Sequence, residues 1–253
     1  MSSRVRFRNC IHQRTAGATE DSILAAIRGD PFCCPPGRPA ATLSQPAMAT
    51  PFIGLARGLG PEAFKQVWMD FRRQASARPD PADFPDFLAA HRYGREAADL
   101  VDLARLDLAV FLAGLPAARP SLGRCCLPPS LLVDHPGLAI AMQPNWRYLE
   151  SGWPIHRYRD RLLERPASPV RGKPPRRAAA WLNILPVAGE IEIRDLAPAR
   201  FRFESALSRG RSLHEAGREA AAYDAAFEPL AALDDLIAAG AVADVNLHPA
   251  TTA

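Results

Sequence analysis

Six histidines and five cysteines are the residues best suited to hold a metal or attack a substrate, and their spacing fits neither task. His12, His91, His135, His156, His214 and His248 are scattered, and no HxxE or HExxH pair sets two ligands on one helix face. The cysteines fall as Cys10, the neighbours Cys33 and Cys34, and the neighbours Cys125 and Cys126. Ligand pairs in zinc sites are separated by two or more residues so that both thiolates face one ion, and adjacent cysteines do not offer this. They read as buried or surface thiols in a reducing compartment. The GxSxG and P-loop patterns are absent. Asp99, Asp102 and Asp107 share a helical stretch with Arg95 and Arg105, at spacings of three and five that suggest ion pairs on a solvated side. No active site is legible, so the expectation is a chain that recognises rather than catalyses and carries no cofactor of its own.

Recognition has clearer candidates. The stretch NWRYLESGWPIHRYRDRLL concentrates Trp146, Tyr148, Trp153, His156 and Tyr158. Within it Trp153, His156 and Arg157 are the candidate partner interface, because aromatic and arginine side chains are enriched in binding hot spots. Arg157, Arg159, Arg161, Arg165, Arg171, Lys173, Arg176 and Arg177 form a basic run broken by Asp160, Glu164 and prolines. Such a run suits an acidic peptide, an acidic partner or nucleic acid, and equally a solvated linker. The net charge of +4 and the near-absence of lysine, with Lys65 and Lys173 the only two, point to a GC-rich gene more than to a nucleic-acid surface.

The elements that must position these residues follow from pattern. With 253 residues, 48% of them hydrophobic, the chain can build one large or two moderate domains. No apolar run approaches the roughly 18 to 20 residues needed to cross a bilayer, so no membrane association is expected. The basic start, residues 1–19, lacks the apolar middle of a secretory signal and reads as a flexible leader of a cytoplasmic protein. Residues 20–165 read as a helical domain. It has a short helix over 20–28, a Pro-rich loop, and a helix opening at Pro61 with Phe64, Val67, Trp68 and Phe71 on one face. A short element over Phe84–His91 and a central helix over Arg95–Leu112 follow, then irregular connections with one short helix across 116–177. Residues 166–177 are a basic, Pro-rich linker.

Residues 178–248 are the most legible. Trp181, Leu182, Asn183, Ile184 and Leu185 read as one strand, and Glu190, Ile191, Glu192, Ile193 and Arg194, alternating in polarity, as a second joined to it by a tight turn. Three short helices follow: one with Pro198 in its first turn and Asp195 as cap, one opened by the capping box SLHE, and one ending at Gly240. The expected fold class is α+β, a helical bundle followed by a small winged-helix-like module of a β-hairpin and three helices. Such modules either read DNA with a helix or accept an extended peptide along a sheet edge. The middle helix mixes Arg218 with Glu215, Glu219 and Asp224, which offers phosphates no cationic face, so nucleic acid is not the expected partner. The hairpin residues are therefore the candidate peptide site. A purely structural role and a DNA-binding regulator stand beside that reading.

FPDFLAAH, LARLDLA, LPPSLLV, SGWPIHRY and the ALSRGRSLHEA to LDDLIAAG region, in this order, resemble the family of the methanobactin biosynthesis protein MbnC and its relatives HvfC and BufC. The resemblance spans about residues 60–240. It implies a non-catalytic subunit bound as a heterodimer to an MbnB-like, iron-containing TIM-barrel oxygenase. That partner oxidises cysteines of a ribosomally made precursor peptide to oxazolone and thioamide groups that bind copper. The iron would belong to the partner, and the hairpin module would grip the precursor's leader. The Cys- and Pro-rich stretch from Pro31 to Pro51 departs from the family pattern.

Overall fold

Pro61 cannot donate a backbone hydrogen bond and suits a first helical turn, and there the helix α2 (Pro61–Gln74) begins, after α1 (Ile53–Leu59). The computed structural model describes residues 51–74, 80–115, 138–164 and 175–247. The expected helix over 20–28, the Pro-rich loop before residue 51 and all five cysteines lie outside them. The described chain forms two compact units: a helical unit of 51–74, 80–112, 151–164 and 175–180, and a mixed unit of 113–115, 138–150 and 181–247.

In the helical unit, α2 buries Phe64, Val67 and Phe71. The Phe64 and Phe71 rings pack on Phe84, which also meets Phe52 and opens α3 (Phe84–Ala90). The central helix over Arg95–Leu112 is shorter than expected at its start: α4 (Arg92–Glu96) stops at Ala97, and α5 (Ala98–Ala113) begins after it. Gly94 is required here, because a Cβ on it would lie 2.0 Å from the Leu88 carbonyl oxygen. α5 is buried around most of its girth, with Leu100, Leu103, Ala104, Leu106 and Val110 all in the core, as its apolar excess predicts. That enclosure overturns the solvated reading of Asp99, Asp102 and Asp107, which are 5%, 8% and 1% exposed. Helical spacing places the three on one helix; packing decides that the helix has little solvated side.

Residues 116–177 were expected to be irregular with one short helix; the described part holds that helix, α6 (Ile155–Glu164), and also two strands that were not expected, β1 (Leu138–Met142) and β2 (Arg147–Ser151). The linker expected over 166–177 lies outside the described residues except at 175–177. β1 and β2 find their partners in the mixed unit, whereas α6 packs on α1, where Arg57 Nη1 donates to the carbonyls of Leu162 and Leu163 at 3.2 and 3.0 Å.

The mixed unit holds two small antiparallel sheets. β2, β3 (Ala180–Val187) and β4 (Glu190–Asp195) form a three-stranded sheet in that order, and β1 pairs with β5 (Val242–Leu247). The β3–β4 turn is Ala188 and Gly189, both at positive φ, 50° and 84°. Two-residue hairpins with that backbone match the strand twist. Ile184 faces Ile193 and Pro186 faces Ile191, so Leu182 and these residues share one face while Asn183, Leu185 and Arg194 take the other. Three helices follow: α7 (Pro198–Ser208), α8 (Leu213–Ala221) and α9 (Pro229–Ala238). Asp195 does not cap α7; it belongs to β4 opposite Leu182, and Ala197 is the cap residue. The Ser212–Glu215 capping box of α8 forms in both directions, as its sequence requires. Leu138 and Ile140 of β1, Leu185 of β3, Phe203 of α7, Leu233 of α9 and Val242 of β5 share one core.

Candidate functional site

Sheet order settles which backbone of the expected hairpin site can be reached. β3, which carries Trp181, Leu182, Asn183, Ile184 and Leu185, lies between β2 and β4 and is the inner strand of the sheet, not an edge. β4 is an edge, and among the described residues no strand pairs with its outer side. Ile191 and Ile193 are buried, while Glu190, Glu192 and Arg194 are half-buried, which is the alternation read from the sequence. Arg194 Nη2 donates to Glu192 Oε2 at 2.8 Å along this strand. β2 is the other edge.

Beside β4 a groove of about 570 Å³ is lined by Asn183, Arg194, Asp195, Arg200, Glu204 and Asp235, with Trp146 and Leu236. Its floor is a polar network that joins β3 to α7 and α9. Asn183 Nδ2 donates to Glu204 Oε2 at 3.1 Å, and Arg200 donates from Nε to Glu204 Oε1 at 2.6 Å and from Nη1 to Asp235 Oδ2 at 2.8 Å. Glu204 is 1% exposed and Asp235 is exposed, so Arg200 runs from the interior to the surface. Burial lowers the pKa of the Arg200 guanidinium, but its hydrogen bonds to the two carboxylates outweigh burial and leave it above its ordinary value. Burial, and after it the charge of Glu204, pushes the Tyr148 phenol well above its ordinary range. The Tyr148 hydroxyl lies against the Glu204 carboxylate, and the Asn183 Oδ1 atom is buried with no hydrogen-bond partner among the described residues. An unmet buried polar atom costs about 1–3 kcal/mol, which makes such atoms informative.

A second groove of about 440 Å³ in the same unit is lined by Arg147, Tyr148, Glu150, Phe201, Arg202 and Arg209. Its arginines are engaged: Arg202 Nη2 meets Glu150 Oε1 at 2.8 Å and lies 5.1 Å from the Tyr223 ring centroid, and Arg209 Nη2 meets Glu219 at 3.0 Å.

The expected interface trio belongs to the helical unit. Trp153 is half-buried with the Arg177 guanidinium 5.1 Å above its ring, and Arg157 is exposed, but His156 is 3% exposed and presents almost no surface. The turn before α6 explains this: Ser151 Oγ donates to Asp102 Oδ2 at 2.6 Å and accepts from the Trp153 amide at 3.1 Å, directing His156 inward with Ile155. The same unit holds the most buried ion pair. Arg159 Nε donates to Asp107 Oδ1 at 2.6 Å, the Leu55 amide donates to Oδ2 at 2.8 Å, and a Cβ on Gly54 would stand 2.9 Å from Oδ1. Burial raises the Asp107 pKa despite the opposing pull of Arg159.

Sequence reading missed Glu204, Arg200, Asp235 and the Asp107–Arg159 pair. The one local signal was the i,i+4 spacing of Arg200 and Glu204 on α7 and a lone Asn183 within an apolar strand. Among the described residues, no group of three or more His, Cys, Asp or Glu is arranged to hold a metal ion, and no helix is long and apolar enough to cross a membrane. No protein family matches this chain, and no curated protein matches its sequence.

Proposed function

We propose that this chain is a non-catalytic recognition subunit that binds the leader of a ribosomally made, Cys-containing precursor peptide and delivers it to an iron-dependent TIM-barrel oxygenase. In this reading the hairpin β3–β4 with α7, α8 and α9 is a winged-helix-like module, and the complex converts cysteines to oxazolone and thioamide groups in methanobactin-type biosynthesis. The observation that carries it is the open outer edge of β4, whose unpaired backbone groups suit an extended peptide without demanding particular side chains. The groove beside that edge gives alternate peptide side chains a place to lie. The family resemblance supplies the rest: the iron and the chemistry belong to the partner, and the location is the cytoplasm.

A DNA-binding regulator built on the same module is less well supported. Two exposed cations beside α8 are neutralised, Arg209 on Glu219 at 3.0 Å and Arg211 on Glu215 at 3.7 Å.

Co-expression with an MbnB-like TIM-barrel oxygenase should give a stable heterodimer on size exclusion. Hydrogen exchange of that complex should then slow at the β4 amides when precursor peptide is added, with β2 unchanged. A chain that elutes alone as a monomer and shows no protection of β4 refutes the reading. A mobility shift of its own promoter that weakens with salt would favour the regulator instead.

A further inference from the structure

The groove beside β4 has a chemical bias that strand pairing does not require. Asn183 Nδ2 donates to the Glu204 carboxylate, which can only accept, and this fixes which end of the amide is nitrogen. Oδ1 is therefore an acceptor; the side chain is 3% exposed, and the atom has no partner among the described residues. Buried acceptors in native proteins are nearly always met by a donor. Around it stand three carboxylates, Asp195, Glu204 and Asp235, against two guanidiniums, Arg194 and Arg200. Glu204 is 1% exposed and its two oxygens already accept from Asn183 and Arg200. Asp235 is exposed and, since a carboxylate can take more than one donor, is not exhausted by Arg200.

We infer that this groove receives a basic side chain, an arginine or lysine of the bound peptide, with Asn183 Oδ1 and the Asp235 carboxylate as its acceptors. Register supports the placement. Asn183 and Arg194 are cross-strand partners on one face of the sheet, and an added strand continues that alternation, setting every second side chain on the groove side of β4. How the cation arrives rests on the strand addition proposed above; the chemistry of the groove does not.

The test uses the full chain, labelled with ¹⁵N, and two small probes: agmatine, which is cationic, and butyramide, which is neutral. Agmatine should shift the Asn183 side-chain amide saturably and butyramide should not. Asp235→Asn, at an exposed position that leaves the core intact, should weaken agmatine binding about fivefold, as expected for a lost charge-assisted hydrogen bond. Asp234→Asn, at its exposed neighbour, should leave binding unchanged. The inference is overturned by the absence of a saturable shift, by an equal response to butyramide, or by indifference to Asp235→Asn. Agmatine binding to a chain whose β4 no precursor peptide protects would keep this inference and remove the strand-addition reading. Protection of β4 without an agmatine response would do the reverse.

Discussion

Each unit of this protein buries a carboxylate against an arginine, and the two arrangements differ in their openness. In the helical unit Arg159 is 2% exposed and Asp107 fully covered; the carboxylate is also held by the Leu55 amide, with Gly54 packed so closely that no side chain fits between. In the mixed unit Glu204 is equally buried, yet its arginine is 34% exposed, reaches on to a surface carboxylate, and borders a groove with an unmet carbonyl. A closed pair of this kind can only hold helices together. An open one can exchange partners with a ligand, since the arginine can turn to solvent while the carboxylates accept a new donor.

The largest expected effect tests the closed pair. Asp107→Ala leaves the buried Arg159 without its carboxylate, and urea unfolding should register a loss of about 3–5 kcal/mol. A loss below about 1 kcal/mol would show that solvent reaches the pair and would dissolve the contrast. Gly54→Ala should follow at about 1–3 kcal/mol, because its Cβ would stand 2.9 Å from Asp107 Oδ1 and 3.1 Å from Arg159 Cγ, neither free to retreat. Glu204→Gln should be milder, about 1–2 kcal/mol in the same assay, since the amide still meets Asn183 and the part-exposed Arg200 keeps Asp235. If Glu204→Gln proves as damaging as Asp107→Ala, the openness of the second site is illusory.

The smallest effect belongs to a fully solvated carboxylate, Glu215. Hydrogen bonds from the Ser212 backbone and hydroxyl hold its pKa below the ordinary 4.5. A depressed acid contributes stability that is present above the unfolded-state value and fades as pH falls through the folded one. Melting temperatures measured from neutral pH to well below 4.5 should therefore decline slightly less on the acid side for Glu215→Gln than for the parent chain. An identical acid slope would mean that the capping box contributes nothing in solution.

Legibility in the sequence tracked how local each cause was. The alternation Glu190 to Arg194, the Ser212–Glu215 box, the Pro61 start of α2 and the Gly240 stop of α9 all act within a few residues, and each appeared where it was read. β1, a short apolar run, and β5 were missed because each finds its partner far along the chain, and β2 because its pairing with β3 spans a whole helix. His156 was chosen as a surface anchor from its residue type, and the Ser151–Asp102 contact turned it inward.

By itself, then, the amino-acid sequence determined the elements whose period, caps and turns are encoded in neighbouring residues, together with a mixed fold having a β-hairpin ahead of three helices. Only the tertiary structure decided which hairpin strand keeps an open edge, which aspartates are enclosed, and that Asn183, Glu204, Arg200 and Asp235 meet around one groove. The physical reason is sequence separation. Pairing and burial join residues that no local period relates, and the free energy of desolvating a charge is set by everything packed around it.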